Sequence, residues 1–137
     1  MTARGKARKR ALDVLYEADM RGIPASDVLD AKADSDSPLT NPYTAELVWG
    51  VVEHADRIDD LLATYAQGWT LDRMPAVDRN LLRIGTYELL WCPDVPAAVA
   101  ISEAVELAKS LSTDESASFV NGLLARILDI RPELALD

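Results

Sequence analysis

In the last third of the chain, Val120, Leu123, Leu124, Ile127 and Leu128 recur at i, i+3, i+4, i+7 and i+8, the spacing that lines one face of an α-helix. No segment sustains the period-two alternation of a strand. The one Asn-Gly pair, Asn121-Gly122, falls inside this helical pattern, where hairpin chemistry conflicts with the period. A chain patterned this way must bury helix against helix, so the predicted fold class is all-α: a bundle in two parts joined through a central helix.

The other elements follow from start and stop residues. A first helix is predicted from about Lys6 to Met20, closed by Gly22 as a left-handed cap with Pro24 just beyond. Ser26 is positioned to cap a short helix through Leu29 and Ala31, and Asp34-Ser35-Asp36-Ser37-Pro38 reads as an exposed loop. Asn41-Pro42 joins an N-cap residue to proline at the first helical position, opening a long helix on Leu47, Val48, Val51, Val52, Ala55, Ile58, Leu62 and Tyr65 that ends near Gly68. From about Pro75 to Trp91, Val77, Leu81, Leu82, Ile84, Leu89 and Leu90 cover more than one face, which marks the central, buried helix. Cys92-Pro93-Asp94-Val95-Pro96 is a turn, because two prolines remove amide donors and disfavour helix before each. Ala100, Ala104, Leu107, Ala108 and Leu111 form the next stripe, and Ser112-Thr113-Asp114-Glu115 has the spacing of a capping box for the last helix, which Pro132 stops.

Charge is sorted along this scaffold. Arg4, Lys6, Arg8, Lys9 and Arg10 precede the first acid, Asp13; five of the 14 Lys and Arg lie there, leaving nine against 23 Asp and Glu. The cluster sits where a helix dipole disfavours cations, at a cost of about a few tenths of a kcal/mol each. Interleaved with Gly5 and Ala7 and free of aromatics, it suits a phosphate backbone, which rewards point charges and guanidinium forks. RNA is the natural candidate, since arginine-rich segments fold as helix once RNA supplies counter-charge; Ala3 to Arg8 is therefore expected to be loosely folded without it. The alternative is a solvated basic tail.

At 137 residues and 49% hydrophobic content the chain can bury a core of its own, and residues 1–137 read as one domain. Its apolar stretches are broken well short of the ~20 residues of a membrane span. Asp13, Glu17 and Asp19 interrupt any signal-peptide core, and with Cys92 as the single cysteine a reducing cytoplasm is the simplest compartment. Catalytic constellations are absent: His54, the one histidine, reads as part of a solvated acidic face with Glu53, Asp56, Asp59 and Asp60, and Cys92 reads as a structural thiol. Neither a glycine-rich phosphate fingerprint nor a paired-cysteine metal spacing occurs, so neither cofactor nor metal is expected. Gly122 costs about 1 kcal/mol inside a helix, which implies close approach of either another helix or a ligand.

RKRALDVLYEAD (8–19), DRNLLRIGTYELL (78–90), VPAAVAISEAVELAKSLS (95–112) and FVNGLL (119–124) together resemble the NusB family of bacterial transcription antitermination factors. The second half, a proline turn, then AISEAVELAK, then FVNG, is the most specific part. The resemblance implies two three-helix subbundles, binding of the boxA element of ribosomal RNA transcripts with the ribosomal protein NusE, and assembly with other Nus factors on RNA polymerase, without catalysis. It places RNA contacts at Arg4, Lys6, Arg8, Lys9 and Arg10, with a second patch at Glu115, Ser118 and Phe119, and points to Asp78 and its exposed neighbours for the protein partner. Phe119, one position before the Val120 stripe, is placed either to stack on an unpaired base or to pack at the core edge. Tyr16 either extends the basic patch or flanks the core.

Three function classes are thus carried forward: an RNA-binding antitermination factor, a helical adaptor or homodimer with a basic arm, and an accessory domain of an RNA-modifying enzyme. NusB-like folds also front ribosomal RNA methyltransferases, but no glycine-rich cofactor region follows here, which favours a stand-alone role.

Overall fold

A computed structural model describes residues 2–33 and 41–136, and among them every regular element is helical. Seven α-helices follow in order: α1 (Ala3–Arg21), α2 (Ala25–Ala33), α3 (Pro42–Glu53), α4 (Ala55–Tyr65), α5 (Ala76–Trp91), α6 (Ala97–Leu111) and α7 (Asp114–Ile130), with single 3-10 turns at Leu71–Arg73 and Arg131–Glu133. α1, α2 and α3 pack together on one side, α4, α6 and α7 gather on the other, and α5 packs against α1, α3, α4, α6 and α7. The broad apolar surface of α5 is thereby accounted for: Leu81, Leu82, Ile84, Leu89 and Leu90 are all buried in one continuous core with Leu47, Ile58, Leu62, Leu124 and Ile127. No helix among the described residues is long and apolar enough to cross a membrane.

Local signals explain most boundaries. Gly22 ends α1 at φ 66°, and Asn41 caps α3 by accepting from the Tyr43 amide ahead of Pro42. Four boundaries differ from expectation. The first helix starts at Ala3 rather than near Lys6, because Thr2 Oγ1 accepts from the Gly5 amide at 2.9 Å. α2 begins at Ala25, so Ser26 lies inside its first turn rather than capping it. The cap of α7 is Thr113, not Ser112: Thr113 Oγ1 accepts from the Ser116 amide, while Ser112 closes α6. Finally, the expected long helix from Pro42 divides at His54 (φ −104°, ψ 16°). The break lets α3 stay against α1 and α5 while α4 turns toward α7. The His54 ring leaves the acidic face and stacks on Trp91, with centroids 4.0 Å apart and planes 13° apart. Nearby, Gly50 accommodates the Tyr87 ring: a Cβ there would sit 2.0 Å from Tyr87 Cζ. The loop expected at 34–38 lies outside the described residues.

Two charged networks lock the helices. Asp19 of α1 accepts from Arg79 and Asn80 of α5, and Arg83 binds Asp59 of α4 through two bonds of 2.9 and 3.0 Å. Burial alone would raise the Asp19 pKa, but the bonds from Arg79 and Asn80 outweigh it and hold the carboxyl below its usual range. The second network is deeper. Arg8 Nε and Nη2 both donate to the Glu88 carboxylate at 2.9 Å, Nη1 reaches Glu103 at 3.1 Å, and the Tyr43 hydroxyl donates to Glu88. Arg8 is 3% exposed and Glu88 1%. Burial would lower the Arg8 pKa, yet the Glu88 hydrogen bonds and charge leave it above the ordinary guanidinium value. Burial, and then Glu88, push the Tyr43 phenol well up.

Removing one member of so buried a pair strands the other's charge, at about 3–5 kcal/mol. Arg8→Met is therefore expected to lose that much unfolding free energy in denaturant titrations, while Arg10→Ala, an exposed neighbour, stays within about 0.5 kcal/mol of the parent chain.

Candidate nucleic-acid interface

Pairing Arg8 with Glu88 fixes the rotation of α1 about its axis, and so decides which cations face out. Gly5, Ala7 and Arg8 are buried with Ala11 and Leu12; Arg4, Lys6 and Arg10 are exposed and Lys9 is half-buried. Gly5 and Ala7, which interrupt the basic run, are thus inward positions, and Thr44 Oγ1 donates to the Ala7 carbonyl at 3.1 Å. Arg8 does not join the exposed cluster: its guanidinium is fully engaged by Glu88 and Glu103, so the expectation of an RNA contact there is corrected to a structural one. Lys6, Lys9 and Arg10 are related by i+3 and i+4 and share one outward face. Lys9 pairs with Asp13 at 2.8 Å, while neither Lys6 nor Arg10 has an ion-pair partner among the described residues. Tyr16, seven residues beyond Lys9, continues that face at 40% exposure. Arg4 points elsewhere, lying 4.3 Å above the Tyr43 ring and 3.2 Å from Asp94. The amino end is helical from Ala3 onward, with the Thr2 cap and the Arg8 anchor holding it.

The second cluster forms where α7 begins. Glu115 and Ser118 are exposed, and Phe119 is half-buried with its ring 5.9 Å from that of Trp69, tilted by 45°. Between them opens a hollow of about 330 Å3 lined by Trp69, Pro75, Asp78, Thr113, Glu115 and Phe119. Asp78 does not stand on the surface, as expected for a protein-partner contact: it is 2% exposed in the wall of this hollow, and its Oδ1 has no hydrogen-bond partner among the described residues. A buried carboxylate oxygen without a donor is costly. Trp69, nearly half exposed beside the turn at Gly68 (φ 79°), went unnoticed in the sequence. Its exposure next to a glycine was a weak signal, and its partner Phe119 is fifty residues away.

Gly122 is exposed on α7, and a Cβ there would meet nothing within 4 Å among the described residues. Close helix packing, one of the two expected reasons for this glycine, is therefore overturned. Cys92 is half-buried, and its thiol is pushed up to about 11 by burial with help from Glu88 and Asp94, so it stays protonated and unreactive near neutral pH.

The chain is similar to known proteins along nearly its whole length. Residues 5–129 match the NusB family. The transcription antitermination protein NusB of Arthrobacter sp. (strain FB24) is 60% identical over 134 residues, covering 98% of each chain. Among solved structures, T. maritima NusB superposes with a TM-score of 0.83 at 33% identity, covering 97% of this chain and 99% of that one. A complex of the antitermination factors NusB and NusE with double-stranded RNA gives a TM-score of 0.82 at 28% identity, covering 92% and 96%. With matches that span the basic arm, the central α5 and the α7 hollow alike, the chain belongs to the NusB family.

Proposed function

We propose that this chain is a non-catalytic transcription antitermination factor that binds boxA RNA of ribosomal RNA transcripts together with the ribosomal protein NusE, in the cytoplasm, and through them the other Nus factors and RNA polymerase. The observation that carries the reading is the outward face of α1: Lys6, Lys9 and Arg10 side by side on a chain of net charge −9. Arg4 adds a fourth cation at the helix start, and Tyr16 an aromatic ring on the same face as Lys9. The α7 hollow complements this arm, with Trp69 and Phe119 as stacking surfaces for an unpaired base. Glu115 and Ser118 line the approach. The arm reaches Asp94 at the start of α6 and the hollow lies at its end, a separation of roughly 23 Å at 1.5 Å per residue. A strand that uses both must run along the molecule for that distance.

The alternatives, a basic arm for a protein surface or a homodimer, predict a different response to salt. Contacts to a single-stranded backbone release counterions, so log K should fall with log salt by about 0.7 per phosphate neutralised. Lys6→Ala and Arg10→Ala are each expected to flatten the slope by roughly that amount in titrations with boxA RNA. An unaltered slope would assign the arm to a protein partner or to solvent.

At the hollow, Phe119→Ala is expected to weaken boxA binding roughly tenfold, equivalent to about 1.4 kcal/mol of lost stacking, with a small drop in melting temperature. If Phe119→Ala instead destabilises the protein by several kcal/mol and leaves the affinity of the folded fraction unchanged, the ring belongs to the core alone.

A further inference from the structure

Phe119 walls two hollows, not one. On its other side lies a depression of about 310 Å3 lined by Tyr65, Gln67, Ser118, Phe119, Gly122 and Arg126. That volume is at the lower end of sites for small ligands, roughly 300–1,000 Å3. Arg126, the only cation on α7, lies with its guanidinium 5.7 Å from the centre of the Tyr65 ring. Gly122 forms the floor between Phe119 and Arg126, one helical turn from each, and presents bare backbone to solvent. Nothing among the described residues needs that glycine, because a side chain there would stand in open space.

We propose that this depression is a second nucleotide site, in which a base stacks on the layer formed by Tyr65 and Arg126, the sugar passes over Gly122, and a phosphate meets the Arg126 guanidinium. The inference rests on the RNA reading above and extends its footprint by one nucleotide beyond Phe119. Four observations carry it. The depression shares the Phe119 wall with the Trp69 hollow. An arginine plane is itself a platform for unpaired bases. Gln67 and Ser118 supply amide and hydroxyl groups at the rim. Bare backbone at Gly122 admits a sugar that any Cβ and its extensions would hold off.

The test uses the full chain and a single-stranded RNA containing boxA. Gly122→Ala and Gly122→Gln both replace glycine by better helix formers in open space, so both should raise the melting temperature by a few degrees. RNA affinity should move the opposite way, falling severalfold for Ala and at least tenfold for Gln. Arg126→Gln should flatten the salt slope by about 0.7. Stabilised Gly122 variants that bind RNA as tightly as the parent, while Phe119→Ala binds weakly, would overturn the second site and leave the first standing. Unchanged affinity for all of them would overturn the second site and take the α7 surface out of the RNA footprint, leaving the α1 arm to carry it. Loss of NusE binding with RNA binding intact would make the depression a protein surface and equally overturn the proposal.

Discussion

The ion pair between Arg8 and Glu88 decides how the rest of the molecule is presented. A carboxylate that is 1% exposed on the central helix must be matched by a donor set that reaches it, and the two nearly parallel guanidinium bonds of Arg8 provide this together with the Tyr43 hydroxyl. Four helices therefore meet at one point: α1 through Arg8, α3 through Tyr43, α5 through Glu88 and α6 through Glu103. Such a pair gives little net stability against a well-packed apolar substitute, but it is directional where apolar packing is not. Turning α1 by one residue would move the guanidinium through about 100° and strand Glu88. The outward face of Lys6, Lys9 and Arg10 is a consequence of that constraint.

The distribution of charge around this arm follows a second logic. A polyanion approaching a protein of net charge −9 is repelled by most of its surface. Repulsion is screened over about 8–10 Å at physiological salt, so only the local field at close range matters. The arm supplies that field in spite of its acidic neighbours, Asp13 beside Lys9 and Asp94 beside Arg4. Those exposed pairs are weak, in the range of about 0–1 kcal/mol, and are readily exchanged for phosphate. On the proposed reading, the basic arm selects where an RNA strand can land on a molecule whose other surfaces are mostly acidic.

Most of the scaffold was legible in the sequence because its boundaries are written by local chemistry: Gly22 with Pro24, Asn41 with Pro42, and the Pro93 and Pro96 turn. The break at His54 was not, since the apolar stripe runs on across it without proline or glycine. What divides α3 from α4 is packing against α5, with His54 on Trp91. The inward turn of Arg8 was half legible. It stands three, four and seven residues before Ala11, Leu12 and Leu15, squarely on their stripe, but its partners lie 80 and 95 residues away. The burial of Asp78 and the pairing of Trp69 with Phe119 are likewise long-range facts that no spacing within a helix can report.

Several sites where local rules are broken lie on the proposed RNA surface, while Thr86 Oγ1 and Trp91 Nε1 are also buried on α5 without a hydrogen-bond partner among the described residues. Cations at the start of α1 oppose the helix dipole by about a few tenths of a kcal/mol each. The unpartnered Asp78 oxygen costs about 1–3 kcal/mol, and Gly122 about 1 kcal/mol against alanine. Lys6, Arg10, Asp78 Oδ1 and Gly122 have no compensating contact among the described residues, whereas the equally unusual Arg8, Gly50 and Asp19 are each satisfied internally. Natural chains that keep destabilising features tend to keep them where a ligand completes them. On the proposed reading, α1 and the rim of α7 form one surface along which an incoming strand meets the exposed cations and then the bare backbone of Gly122.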